Sequence, residues 1–150
     1  MGLAIFRFLA VVVTGLALIG PAAHLFSLAN KIDLAKDQYF IAQQVYSGWW
    51  KVGLLLPAAV VCNTVLAVLA RNDRAAMILA AFAAGLVLVE LIIFAIWTQP
   101  ANAATNNWTT QPDNWAALRT QWEYSHAVNA GIMFVAFCAA TLAALRTPAQ

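Results

Sequence analysis

AAMILAAFAAGLVLVELIIFAIW, residues 75–97, decides the fold. These 23 residues carry a single ionisable side chain, Glu90. As a helix they cover roughly 34 Å, enough to cross a hydrocarbon core of about 30 Å with some tilt. Glu90 lies roughly 10 Å along the axis before Trp97, below the interface that a tryptophan marks. An acid at that depth costs on the order of 2.5 to 3.5 kcal/mol on insertion scales. Its carboxyl is therefore expected to face the protein interior and to lie within hydrogen-bond or one-water reach of a polar group on another span.

The rest of the chain agrees with a bilayer as solvent. Hydrophobic residues make up 63% and charged residues 9%, against about 45 to 50% and about 25% in soluble domains. The net charge of +2 comes from basic residues scattered without a cluster, which excludes nucleic acid as a partner and leaves membrane lipid as the first one. Cys62 and Cys138 sit inside apolar runs with neither zinc nor redox spacing and read as small buried hydrophobes.

Working outward from 75–97, the short polar turn Arg71-Asn72-Asp73-Arg74 makes the second and third spans antiparallel neighbours. The second span covers about 49–70, anchored by Trp49, Trp50 and Lys51, with Asn63 and Thr64 placed to hydrogen-bond between helices. The first covers about 4–27. Its pattern runs past Pro21 to His24, Ser27 and Lys31, which share a face and argue for a retained span rather than a cleaved leader. Residues 30–38 read as an exposed connection. From Tyr39 an amphipathic helix, with Tyr39, Gln43, Tyr46 and Trp50 on one stripe, is expected to lead straight into the second span. Residues 98–114 read as a long connection of the kind that forms lids or binding loops. With Asp113 or Asn114 as N-cap, the last helix runs from about Trp115 to Leu145, of which about 124–145 spans. The expected fold is one all-α domain, an integral membrane four-helix up-and-down bundle. The arginine-dense turn at Arg71 and Arg74 places both termini in the cytoplasm, although basic residues are evenly divided between the two ends.

Up-and-down topology gathers both histidines, Glu90 and most polar aromatic residues at one end. Trp115, Arg119, Trp122, His126, Asn129 and Met133 repeat on one face of the last helix. Lys51, Arg119 and Glu123, taken singly, read as interfacial charges. Three readings compete for this constellation. The first is a structural hydrogen-bond network among His24, His126 and Glu90. The second is a pocket for a small hydrophobic or aromatic compound, with His24, Gln43, Trp50, Trp122 and Asn129 binding it and Glu90 and His126 as the catalytic acid or base. The third is a metal ion or haem held by His24 and His126, for which the chain has no dedicated motif. An oxidoreductase and a non-enzymatic membrane subunit that binds a partner helix, pigment, haem or lipid are both open.

The run from His24-Leu25-Phe26 through Asn30-Lys31-Ile32, and then from Tyr39 through Gln43-Gln44-Val45-Tyr46 to Gly48-Trp49, resembles small bacterial four-helix membrane proteins of unknown function. Residues 122–129, WEYSHAVN, resemble the W-x3-N-x2-R signature of the anthrone-oxygenase-like membrane family, with His126 in the place of its Asn and Asn129 in the place of its Arg. The resemblance implies a four-helix fold in a bacterial inner membrane and oxygenation or other oxidation of an aromatic compound.

Overall fold

The computed structural model describes residues 1–146. Its helices are α1 (Gly2–Lys31), α2 (Lys36–Gln43), α3 (Trp50–Gly53), α4 (Leu55–Leu69), α5 (Arg74–Ile93), α6 (Gln99–Ala104) and α7 (Trp115–Leu145). Four segments are long and apolar enough to cross a membrane: Gly2–Lys31, Trp50–Leu69, Arg74–Ala104 and Trp115–Leu145. They form a closed ring in which α1 packs on α4, α4 on α5, α5 on α7 and α7 on α1. The protein is an all-α integral membrane bundle.

Small residues let these helices approach closely, as packing between spans requires. Ala76, Ala80, Ala83 and Ala84 of α5 face inward, as do Ala130, Ala136, Ala139, Ala140 and Ala143 of α7. A middle layer joins Ala17, Leu56, Ala59, Val87, Met133 and Ala136. Beneath it Asn63 donates to Thr14 Oγ1 at 2.8 Å and to the Ala59 carbonyl of its own helix at 2.9 Å. Thr64 instead faces outward. The outer surface carries Phe8, Ile19, Val61, Phe82, Ile92 and Phe134, an apolar belt suited to acyl chains.

One end is tied by charge. Asp73 caps α5 by accepting from the Ala75 and Ala76 N–H groups, each at 3.1 Å. Arg146 Nε reaches Asp73 Oδ2 at 3.1 Å, and Arg7 Nη2 donates to the Arg146 carbonyl at 2.6 Å. The start of α1, the α4–α5 turn and the end of α7 therefore meet, as an up-and-down bundle demands. The Ala76 N–H foremost, with Arg146 and the Ala75 N–H, holds the Asp73 carboxyl below the usual aspartate range. A depressed carboxyl stabilises the fold above the ordinary aspartate pKa of about 4, and this contribution is lost as pH falls through the lower folded value. Acidification from pH ~5 to ~3 is expected to lower the melting temperature in detergent less in Asp73→Asn, which keeps a capping oxygen but cannot titrate, than in wild type. Equal losses in the two proteins would refute this role.

The opposite end departs from the expected spans. Helix α1 runs on past the span to Lys31, as its pattern indicates, but Lys31 is 6% exposed rather than part of an open connection. The amphipathic helix does not run straight into the second span. It closes through a 3-10 turn at Gln44–Tyr46 and breaks at Gly48, whose φ of +81° favours glycine. Tyr39 and Gln43 stay on the inner face while Trp50 swings out of their stripe, 71% exposed.

The third span does not end at Trp97. A π-helical segment, Phe94–Thr98, turns Thr98 inward to bond Ser125 at 2.7 Å, while Gln121 Nε2 takes the Trp97 carbonyl at 2.7 Å. The helix then resumes as α6, so residues 98–114 are not one long loop. After α6 the chain makes a tight reversal through three left-handed residues, Asn106, Asn107 and Trp108. Asparagine tolerates that conformation, whereas tryptophan is strained in it.

Candidate functional site

The cavity lies where α1, the α2–α3 connection, α5, α6 and α7 converge. It measures about 910 Å³, within the size range of small-molecule sites. His24, Gln43, Tyr46, Glu90, Trp122 and His126 are among its walls. Trp49 and Trp50, expected to be interfacial anchors, also line it, with the exposed Trp50 at the outer side. Five of the seven residues singled out for binding or catalysis thus share one chamber with little exposure: His24, Gln43, Glu90, Trp122 and His126. Trp50 lies at its edge. Asn129 does not line the cavity: it is fully buried, and both its amide atoms lack a partner.

The aromatic walls pack closely, His24 tilted against Tyr46 and His126 and edge-on to Trp122. The His24 ring centre lies 4.2 Å from that of Tyr46, 4.6 Å from Trp122 and 4.1 Å from His126. Trp122 meets His126 edge to face at 4.3 Å and Trp108 at 5.6 Å. Asn102 of α6 orients two of these rings, because its Oδ1 accepts from Trp122 Nε1 at 2.7 Å and from Trp108 Nε1 at 3.3 Å. The strained Trp108 backbone is held by its N–H donating to Thr105 Oγ1 at 3.1 Å. Sequence reasoning missed both Asn102 and Trp108. Each lies in a segment that reads as loop, and no periodicity marks a reversal set by three consecutive left-handed residues.

Several polar atoms in these walls have no protein partner: His24 Nδ1, Gln43 Oε1 and Glu90 Oε2. Their residues are 5%, 4% and 3% exposed. Glu90 points into the bundle, as its cost in lipid requires, but forms neither a direct hydrogen bond nor an ion pair among the described residues. A buried polar atom left unpaired costs on the order of 1 to 3 kcal/mol, and three residues of this one cavity's lining each carry such an atom.

Behind the wall lies a buried ion pair. Lys31 Nζ sits 2.9 Å from Glu123 Oε1, off the line of a well-aligned hydrogen bond and over the faces of Tyr46 and Trp122 at 4.8 and 5.2 Å. Glu123 is therefore not an interfacial charge, since it is fully buried. Tyr39 donates to the same oxygen at 2.9 Å, and Gln43 Nε2 donates to the Tyr39 hydroxyl. Arg119 is likewise engaged: it donates to the Leu34 carbonyl at 2.8 Å and stacks on Trp115.

The geometry does not suit His24 and His126 as opposed axial ligands of one haem iron. Bonds of about 2 Å on either side would by themselves set two opposed nitrogens about 4 Å apart, and the ring centres farther still. The observed centres are only 4.1 Å apart, with the ring planes tilted by 34°, so an iron does not fit between the two rings. No group of three or more histidine, cysteine or carboxylate side chains among the described residues is placed to hold a metal ion. No family model, curated protein or solved structure matches the chain.

Proposed function

We propose that this protein binds a small aromatic amphiphile drawn from the bilayer, with Glu90, His24 and His126 placed to accept or donate its proton. One observation carries the reading: His24, Gln43 and Glu90, each with a buried polar atom that lacks a protein partner, line a single chamber together with Tyr46, Trp49, Trp108 and Trp122. Aromatic walls with a few convergent polar groups suit a flat ring bearing one or two oxygens. Proton abstraction from such an oxygen is a step that oxidation of the ring would need, so the site is compatible with the oxidoreductase activity that the anthrone-oxygenase resemblance implies. We place the protein in a bacterial inner membrane with both termini cytoplasmic, the orientation favoured by Arg71 and Arg74 in the α4–α5 turn.

Equilibrium dialysis of radiolabelled naphthol against the protein in nanodiscs tests the binding. Saturable uptake above that of empty nanodiscs, weakened in Glu90→Leu, is expected. Uptake equal to that of empty discs at every concentration would overturn the reading.

A further inference from the structure

The polar chain behind the cavity wall determines which kind of hydrogen-bonding group the ligand brings. Glu123 is fully buried, and its Oε1 lies beside the Lys31 ammonium. An ionised carboxylate accepts hydrogen bonds and donates none, so the Tyr39 hydroxyl spends its single proton on Glu123. Burial and the adjacent Glu123 carboxylate hold the Tyr39 phenol well above its ordinary titration range, so that proton stays in place. The Tyr39 oxygen then has only lone pairs left for Gln43, which fixes the amide orientation: Nε2 turns to Tyr39 and Oε1 is left unpartnered. An amide can ordinarily flip to suit either kind of neighbour. Here two hydrogen bonds in series, backed by the Lys31–Glu123 ion pair, prevent it.

Resting on the binding role proposed above, we infer that the Lys31–Glu123–Tyr39–Gln43 chain makes the cavity selective for a hydroxyl-bearing aromatic, a phenol or hydroquinone, over the matching ether or quinone. Gln43 Oε1 is an acceptor in need of a donor. Glu90 serves either kind of ligand according to its protonation, so the discrimination rests on Gln43 Oε1. A phenol or hydroquinone supplies O–H donors, whereas an aryl ether or quinone brings only acceptors and would leave Gln43 Oε1 unpaired. Tyr39 is a positioning residue in this scheme: it lies outside the cavity walls and acts by aiming Gln43.

The test is competition dialysis in nanodiscs with two matched pairs, naphthol against its methyl ether and, under argon, duroquinol against duroquinone. Wild type is expected to bind each hydroxyl form about tenfold more tightly than its partner, the discrimination of one buried acceptor satisfied or not. Gln43→Leu is expected to bring both ratios to about one. Tyr39→Phe removes the O–H that orients the amide, lets Gln43 turn, and is expected to shrink the ratios while naphthol still binds. Affinities within about threefold in wild type, or tighter binding of the ether or quinone, would overturn the selectivity and leave the aromatic pocket standing. An absence of saturable binding by all four compounds would instead overturn the pocket, and the selectivity with it. A folded Tyr39→Phe protein with unchanged ratios would show that the chain does not aim Gln43, and if that variant fails to fold, the wild-type ratios decide.

Discussion

Glu123→Ala and Lys31→Met are each expected to destabilise the folded bundle by about 3 to 5 kcal/mol, because each leaves the opposite charge buried without its partner. Both side chains are almost wholly withdrawn from water, at 7% for Lys31 and 0% for Glu123, so solvent screening cannot soften the loss. The Glu123 change also removes the acceptor of the Tyr39 hydroxyl and is expected to be the worse of the two. The double variant Lys31→Met, Glu123→Leu removes both charges, and should recover much of the stability, since replacing a buried pair by apolar residues is often close to neutral. Reversible unfolding in mixed micelles measures all three. Single variants within about 1 kcal/mol of wild type would mean that the pair is hydrated like a surface one.

The pair also shows how far the sequence is legible. Four spans follow from apolar length alone, which is why α5 and α7 start within a residue of their expected positions. The inward face of Glu90 follows from the cost of an acid in lipid. The convergence of His24, Trp122 and His126 follows from topology together with the stripe on α7. The partnership of Lys31 with Glu123 does not, because a lysine near the end of a span reads as snorkelling to water, and only the packing of α2 across the bundle end closes water off. The same holds for Gln43: its place on a stripe with Tyr39 is readable, whereas the break at Gly48 that moves Trp50 off that stripe depends on a single left-handed residue. Asn129 is the converse case. Its register on α7 matches that of Trp122 and His126, but it is fully buried between helices instead of lining the site.

His126→Ala and Met133→Ala, two changes on the same stripe of α7, are expected to fail in opposite ways. Met133 is fully buried in the middle layer with Ala17, Leu56, Val87 and Ala136, and its truncation opens a cavity in a close-packed region, at a cost of about 2 to 5 kcal/mol. It packs behind two wall residues, Ala17 and Leu56, without lining the chamber itself, so the protein that remains folded should bind naphthol within about threefold of wild type. His126 is less completely buried than Met133 and lines the chamber. Its loss removes a ring packed against His24 at 4.1 Å and Trp122 at 4.3 Å, each such pair contributing about 0.5 to 1.5 kcal/mol, and those faces are the ones a bound ring would meet. The expected result for His126→Ala is a stability loss smaller than that of Met133→Ala together with a fall in naphthol affinity of about tenfold or more. Thermal unfolding and equilibrium dialysis on the same preparations separate the two. If His126→Ala lost stability as heavily as Met133→Ala while retaining wild-type affinity per folded molecule, His126 would belong to the packing of the bundle, and the chamber would have to bind its ligand without it.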